Sequence, residues 1–140
     1  MPRAMGLDVG TKTIGVALSD PMYMIAQSFT TIQRKKLRDD LLELKKIIED
    51  QEVDEVIIGL PKHMNNDIGV SAQRAKSFGQ EIKKELDIEV IYQDERMTTQ
   101  SADRILIESG VRRENRKKHV DAVAATFILQ SWLDKAKRSS

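Results

Sequence analysis

An acidic residue at the end of a short apolar segment, followed at once by a glycine turn, most restricts how this chain can fold. The segment Ala4–Val9 is apolar apart from Asp8. The tripeptide Gly10-Thr11-Lys12 then forms a tight turn, and a second apolar segment follows at Thr13–Ser19. Two apolar segments joined by a tight turn predict an antiparallel β-hairpin. The hairpin places Asp8 at one edge of the sheet that it begins.

Strands and helices alternate along the rest of the chain. Short apolar or β-branched segments predict further strands at Ser28–Gln33, Val56–Gly59 and Glu89–Tyr92. Apolar residues at helical spacing predict helices at Arg38–Gln51, Ser71–Leu86 and Val120–Lys137, with another from Thr98 or Thr99 to just before Gly110. A polar loop is predicted at Pro61–Asp67. The order β-β-β-α-β-α-β-α-α predicts one α/β domain over residues 1–140, with helices flanking a mixed sheet.

Two acidic residues lie at the ends of predicted strands, where they could bind a ligand. A buried carboxylate at Asp8 is costly unless it is paired, hydrogen-bonded or bound to metal, although Asp8 could also cap the turn after it. Glu95 follows the fifth predicted strand, where it could instead favour the next helix through the helix dipole. Strand alternation sends the neighbouring Asp94 to the opposite face, so only one of the two is expected to face Asp8.

A third acid, Asp121, opens the last predicted helix. The same face of this predicted helix also carries Ala125, Ile128 and Trp132. That face should pack on the sheet, and a surface charge is unusual there. Asp121 could also be an ordinary acid at a helix N-terminus. Carboxylates from separate elements supply the oxygen ligands that Mg²⁺ and Mn²⁺ prefer. The three acids therefore predict a site for hard divalent cations, suited to phosphodiester chemistry.

Basic residues near these acids are candidates for phosphate contacts. Lys12 lies in a turn whose glycines, Gly10 and Gly15, would let backbone N–H groups approach a phosphate. A charged loop just before Asp121 could hold a phosphate backbone through Arg112, Arg113, Lys117 and Lys118. A second basic group is interpreted as solvated charge and comprises Arg34, Lys35, Lys36 and Arg38.

Composition excludes several classes of protein. The chain has 140 residues, no cysteine and a formal charge of +1, so neither a disulfide framework nor a thiolate zinc site is possible. No apolar run reaches membrane-spanning length and no signal peptide is visible. We expect a cytoplasmic protein without a membrane partner.

Four motifs, taken in order, resemble those of the YqgF-like family, which is also described as Holliday-junction-resolvase-like and as a pre-16S rRNA nuclease family. The motifs are Met5–Asp20, Ile57–Pro61, Asp94–Thr99 and Val120–Ala125. The resemblance covers nearly the whole chain. It implies a ribonuclease-H-like fold with a five-stranded sheet of order 3-2-1-4-5, the first three strands antiparallel. It also implies that Asp8, Glu95 and Asp121 form the acidic metal site.

The leading hypothesis is a nuclease that uses Mg²⁺ or Mn²⁺, as two ions, to process the 5′ end of pre-16S rRNA, as a monomer or weak homodimer. The closest alternative is the same chemistry on branched DNA, as in a Holliday-junction resolvase. A non-catalytic nucleic-acid-binding module of the same fold is disfavoured by the retention of all three acids. A small ATPase related to the sugar kinases is disfavoured because the chain has no room for a second lobe.

The charged loop yields a prediction about salt dependence. Replacing Arg112, Arg113, Lys117 and Lys118 with alanine should weaken nucleic-acid binding for every sequence tested, because phosphate contacts act through counterion release. The slope of log affinity against log salt concentration should also become shallower. Affinity measured over a salt series checks this, and an unchanged slope would reduce the loop to solvated charge.

Overall fold

The computed structural model describes residues 3–61, 66–95 and 123–135, except for the side chains of residues 61, 66–71, 94 and 95. Its strands are β1 (Arg3–Val9), β2 (Thr13–Ser19), β3 (Ala26–Gln33), β4 (Val53–Pro61) and β5 (Glu89–Glu95). Its helices are α1 (Leu37–Asp50) and α2 (Asn66–Leu86), and residues 123–135 form a further helix, here called the C-terminal helix. Within these ranges, no helix is long and apolar enough to span a membrane.

The sheet has the order β3-β2-β1-β4-β5. Strands β1 and β2 are antiparallel, as are β2 and β3. Strand β4 is parallel to β1, and β5 is parallel to β4. The predicted five-stranded mixed sheet and its order are therefore confirmed. The central strand β1 pairs on both sides, and its two faces are both covered, because consecutive residues such as Ala4 and Met5 are buried.

Alternation along β1 divides the interior into two layers. Met5, Leu7 and Val9 pack into a core formed with α1 and α2. Ala4 belongs to a second core on the other face, built chiefly from the C-terminal helix through Ala125, Ile128, Leu129 and Leu133. Because successive strand residues point to opposite faces, Gly6 and Asp8 share the face of Ala4.

Several predicted boundaries differ from the observed ones. Strand β3 begins at Ala26, β4 spans Val53–Pro61 and β5 continues to Glu95, so all three are longer than predicted. Polar residues at their ends are held by pairing with neighbouring strands, which composition does not reveal. The predicted loop Pro61–Asp67 is wrong at both ends, because Pro61 is the last residue of β4 and helix α2 begins at Asn66, before its predicted start at Ser71. Asn and Asp are common both in turns and at helix starts, so the sequence pattern fits either.

The remaining predicted elements are either confirmed or lie outside the described residues. Strands β1 and β2 and helix α1 match their predictions within a residue or two. Residues 123–135 of the last predicted helix are helical. The helix predicted to begin at Thr98 or Thr99, and the charged loop after it, lie outside the described residues.

Two glycines allow the C-terminal helix to approach the sheet closely. A Cβ atom at Gly6 would lie 2.7 Å from Cβ of Leu129 and 2.8 Å from the carbonyl oxygen of Ala125. A Cβ atom at Gly59 would collide with Cδ1 of Ile128 and lie 2.8 Å from its Cγ1. At Gly6 a real side chain would require movement of the helix, because it would meet a Cβ atom and a backbone oxygen, whereas at Gly59 the end of the Ile128 side chain would have to move. The depth of this helix against the sheet is therefore set by glycine.

The loop between β2 and β3 fixes the other end of the same helix. The Gln130 carboxamide accepts a hydrogen bond from the Ala26 N–H at 2.8 Å and donates one to the Met24 carbonyl at 3.2 Å. The loop itself is folded around Asp20, whose carboxylate accepts the Ile25 and Met24 N–H groups. The Ile25 bond is the main cause of the lowered pKa of Asp20.

An aromatic contact adds to this attachment. The rings of Tyr23 and Trp132 have centroids 6.2 Å apart, and the Tyr23 hydroxyl donates a hydrogen bond to Glu55 at 3.3 Å. Partial burial, and then the charge of Glu55, raise the pKa of Tyr23 to about 12. The hydroxyl therefore stays protonated and able to donate at any physiological pH.

The close approach at Gly59 can be tested with a pair of substitutions. Gly59→Ala should lower the free energy of unfolding by about 1–3 kcal/mol, because an added methyl group overpacks a filled interior. Ile128→Val removes the Cδ1 atom that the new methyl group would strike, so the double variant should be less destabilised than the sum of the two single variants. Urea unfolding of all four proteins measures this, and simple additivity would contradict the proposed contact.

Candidate active site

Asp8 lies near the carboxyl end of β1, one residue before the strand ends. Its residue is partly buried, and it shares the face of the C-terminal helix with Ala4 and Gly6. The two β-strands parallel to β1 end at the same edge of the sheet. In open sheets of this kind, ligands bind beyond the carboxyl ends of the parallel strands.

The neighbours of Asp8 in the sheet are both glycines. Gly15 of β2 lies directly opposite Asp8 in the antiparallel register. The register of β1 and β4 pairs Leu7 with Ile58, and its continuation by one residue brings Asp8 beside Gly59. Neither neighbour carries a side chain that could cover the carboxylate from within the sheet. Ile128 of the C-terminal helix packs over Gly59, on the same face of the sheet as Asp8.

Glu95 is the last residue of β5, paired with Pro61 of β4. The register of these strands is unbroken from Glu89 to Glu95, so position 95 belongs to the same alternation as Ile91 and Gln93. Ile91 packs against the C-terminal helix core, which identifies this alternation with the face of Asp8. Two interstrand spacings separate β1 from β5, which corresponds to about 10 Å across the sheet.

Position 94 belongs to the opposite alternation. Val90 packs into the core formed with α1 and α2, and the Tyr92 hydroxyl donates a hydrogen bond to the Lys76 carbonyl of α2 at 3.1 Å. Residue 94 is the next position of this alternation and belongs to the same face of the sheet as Val90 and Tyr92. The prediction that Asp94 and Glu95 lie on different faces therefore agrees with the backbone register.

Asp121 lies outside the described residues, two positions before Val123. The helix that follows it packs as predicted, because Ala125 and Ile128 are both buried against the sheet. Ala125 contacts the backbone at Gly6, two residues before Asp8. Ala125, four positions after Asp121 in the sequence, therefore packs near the end of β1 that carries Asp8.

Of the residues predicted to bind phosphate, only Lys12 lies within the described residues. Lys12 is exposed in the turn that follows Asp8. The four cations predicted to bind phosphate in the charged loop lie outside the described residues, namely Arg112, Arg113, Lys117 and Lys118. Among the side chains that the structure describes, no three His, Cys, Asp or Glu residues come together as a metal cluster. Of the three predicted acids, only Asp8 has a side chain in that set.

Gln93 is a site residue that sequence reasoning missed. Its residue is 9% exposed, which makes it one of the few buried polar residues in the described ranges. It lies level with Gly59 in the strand register and two residues before Glu95. The sequence could have indicated this residue. Gln93 is polar, follows an apolar strand segment and lies two positions before Glu95, so strand alternation places both on the same face.

Arg34 was also interpreted incorrectly, as part of a solvated basic group. Lys35, Lys36 and Arg38 are indeed exposed, but Arg34 is partly buried. Its guanidinium donates a hydrogen bond to the Gly10 carbonyl at 2.9 Å, within the turn after Asp8. The sequence carries no local sign of this contact, because the partners are far apart along the chain.

Comparison with known proteins decides the family. A family model described as "RuvX: Holliday junction resolvase" matches residues 2–135. The chain belongs to this family. The resemblance inferred from the four sequence motifs is thereby confirmed, as is the prediction of an enzyme that cleaves phosphodiester bonds.

Relatives of this RuvX-family chain carry a different name. A protein of Agathobacter rectalis is 47% identical over 135 residues, covering 94% of both chains. One of Moorella thermoacetica is 47% identical over 133 residues, covering 95% of both. One of Clostridium acetobutylicum is 48% identical over 132 residues, covering 94% of this chain and 98% of the relative. All three are named "Putative pre-16S rRNA nuclease".

Solved structures of low sequence identity share the fold. RuvC of T. thermophilus in complex with a Holliday junction substrate has a TM-score of 0.60 at 12% identity, covering 96% of both chains. The Fowlpox virus resolvase in complex with Holliday junction DNA has a TM-score of 0.59 at 12% identity, covering 96% of this chain and 98% of the other. These matches confirm the ribonuclease-H-like fold of the RuvX-family chain.

The burial of Gln93 leads to a prediction about stability. Its carboxamide has no hydrogen bond to another part of the described chain, so Gln93→Leu should leave the free energy of unfolding unchanged or raise it by about 1 kcal/mol. Gln27→Leu, at an exposed position of β3, is the matched control and should change it by less than about 0.5 kcal/mol. Urea unfolding tests both. A fall of more than about 1 kcal/mol for Gln93→Leu would show that the carboxamide has a partner in native protein.

Proposed function

We propose that this chain is a divalent-metal-dependent nuclease that processes the 5′ end of pre-16S rRNA. The observation that carries the proposal is the placement of Asp8 and position 95 on one face and one edge of a ribonuclease-H-like sheet. Relatives at 47–48% identity with pre-16S rRNA nuclease names support the substrate. We propose in addition that residues 1–140 form one cytoplasmic domain that acts as a monomer or weak homodimer.

The donor chemistry of the site fits Mg²⁺ or Mn²⁺. The carboxylates of Asp8, Glu95 and Asp121 would hold the metal, since hard cations of this kind take oxygen ligands. Glycines at positions 15 and 59 flank Asp8 in the sheet, so neither strand neighbour has a side chain that competes with a ligand for the carboxylate. Two such ions, when bound, would activate water and stabilise the leaving oxygen of a phosphodiester.

The chain's own residues would hold the substrate backbone. Lys12 is exposed in the turn directly after Asp8, where its ammonium group can neutralise a phosphate next to the acids. The cations of the charged loop, just before Asp121, would extend this contact along the nucleic acid. Contacts of this kind orient a strand relative to the acids and carry little information about its sequence.

Branched DNA is the second candidate substrate. The observation that favours it is the similarity in fold to two resolvases solved with Holliday junctions. Identity to both is 12%, so this similarity shows the fold alone. Resolution of a symmetric four-way junction also needs two active sites, which a weak homodimer would supply only at high concentration. We therefore place it behind precursor rRNA.

Substitution of the acids tests the catalytic site. Asp8→Asn, Glu95→Gln and Asp121→Asn should each abolish cleavage of a pre-16S rRNA fragment with Mn²⁺, because each removes a negatively charged ligand. Asp134→Asn is the control and should cleave at the wild-type rate, since Asp134 is exposed and bonds only Gln130 within the described chain. The same assay with a four-way DNA junction separates the two substrates. Wild-type activity in Asp121→Asn would remove that residue from the site.

Thermal unfolding tests metal binding independently of cleavage. Manganese should raise the melting temperature of the wild type with concentration, because it binds the folded state only. Without metal, Asp8→Asn should be at least as stable as the wild type, since one of three mutually repelling carboxylates becomes neutral. A wild type indifferent to manganese, together with a destabilised Asp8→Asn, would instead identify Asp8 as a structural cap of its turn.

A further inference from the structure

The turn between β1 and β2 is closed by three hydrogen bonds. The Gly10 N–H donates to the Thr13 carbonyl at 2.9 Å, within the turn itself. The Gly10 carbonyl accepts Nη1 of Arg34 at 2.9 Å, and the Lys12 carbonyl accepts the Arg34 N–H at 2.8 Å. Two of the three bonds therefore come from one residue at the end of β3. Asp8 precedes this turn by two residues and Lys12 lies within it.

Arg34 is itself held by a buried acid. Its Nε lies 3.3 Å from Oδ2 of Asp40, a residue of α1 that is 1% exposed. The other carboxylate oxygen, Oδ1, accepts the Lys35 N–H at 2.9 Å. A buried carboxylate requires such partners, because an unpaired charge in the interior is strongly destabilising. The side chain of Asp40 thus fixes both the guanidinium and the backbone next to it.

The guanidinium also stacks on an aromatic ring. Its central carbon lies 5.1 Å from the centroid of Phe78 in α2, and Phe78 is buried in the core beneath the sheet. A guanidinium is a rigid planar donor that can stack and donate at the same time, which an ammonium group cannot do. Arg34 therefore connects the turn to both helices of one layer.

We propose that Arg34 and Asp40 are positioning residues that hold the β1–β2 turn, and with it Asp8 and Lys12, in the geometry that cleavage requires. This role rests on the proposed function of Asp8. Neither residue touches the reacting atoms. Arg34 binds the Gly10 carbonyl through its guanidinium and the Lys12 carbonyl through its backbone N–H, and Asp40 holds the guanidinium and the Lys35 N–H. Displacements of about 1 Å at a reacting group can lower the rate roughly a hundredfold. Hydrogen bonds that fix the Gly10 and Lys12 carbonyls should therefore affect the rate of cleavage.

Arg34→Met removes the side-chain donors but keeps an unbranched apolar stem over Phe78. Asp40→Asn is the second variant, because its amide oxygen can still accept the Lys35 N–H while the ion pair with Arg34 is lost. Phe78→Leu is the matched control, since it removes the stacking and part of the core but none of the three bonds of the turn.

The first readout is amide hydrogen exchange at Gly10 and Arg34, measured without metal. Arg34→Met and Asp40→Asn should speed exchange at both amides relative to the rest of β1, whereas Phe78→Leu should lower the melting temperature and leave this difference unchanged. The second readout is cleavage. The first two variants should lower kcat by roughly tenfold to a hundredfold and raise the manganese concentration needed for half-maximal activity, and Arg34→Lys should restore part of the rate.

Two outcomes overturn the positioning role. Unchanged exchange at Gly10 and Arg34 in Arg34→Met would show that the turn does not depend on this side chain. Equal losses of kcat in Phe78→Leu and Arg34→Met, at equal losses of stability, would show a general structural effect. Asp8→Asn, made in parallel, separates the two proposals: its activity at the wild-type rate overturns the proposed function, whereas an inactive Asp8→Asn beside a fully active Arg34→Met overturns the positioning role alone.

Discussion

The alternation of side chains along β1 is the constraint on which the rest of the structure depends. This strand lies at the centre of the sheet, paired on both sides, and its odd-numbered residues fill the core against α1 and α2. The intervening positions, Ala4, Gly6 and Asp8, meet the C-terminal helix layer. A slip of one residue would send Met5 and Leu7 to the glycine-lined face and bury Asp8 among them, so the register of β1 is strongly fixed. The position of the acid is thus a consequence of the apolar pattern around it.

The two layers serve different purposes. Within the described residues, the layer of α1 and α2 holds most of the large, fully buried side chains. The opposite layer is built from small residues next to the sheet, so the C-terminal helix comes close enough to meet the backbone at Gly6 and the side-chain space at Gly59. Close packing through glycine leaves little freedom for this helix. The distance between this helix and β1 is therefore narrowly defined, and Asp121 precedes the first described residue of the helix by two positions in the sequence.

Much of this arrangement could be predicted from the sequence, for identifiable reasons. The hairpin, the apolar strand in β4 and the stripes of the helices are local patterns, and local patterns are readable in one chain. The strand order came from the resemblance to a family, since pairing between distant strands leaves no local signal. The ends of β4 and β5 were missed because Glu55 and Gln93 are polar residues that pairing with neighbouring strands holds in the sheet. Arg34 was misread because its charge looks the same in sequence whether it meets water or the Gly10 carbonyl.

The ion pair between Arg34 and Asp40 connects the stability of the fold with the chemistry proposed at one edge of the sheet. The three carboxylates of the proposed metal site would repel one another, and such a site would destabilise the fold. A turn that carries one of them needs support from outside its own strand. That support comes from a buried ion pair in the opposite layer, where Asp40 is almost fully enclosed and Arg34 rests on Phe78. The guanidinium reaches the turn from the core side, whereas Asp8 shares the other face of the sheet, where the proposed ions and phosphate would bind. A positioning group on that other face would compete with the proposed substrate for the same space, so the opposite layer is where the fold can place one.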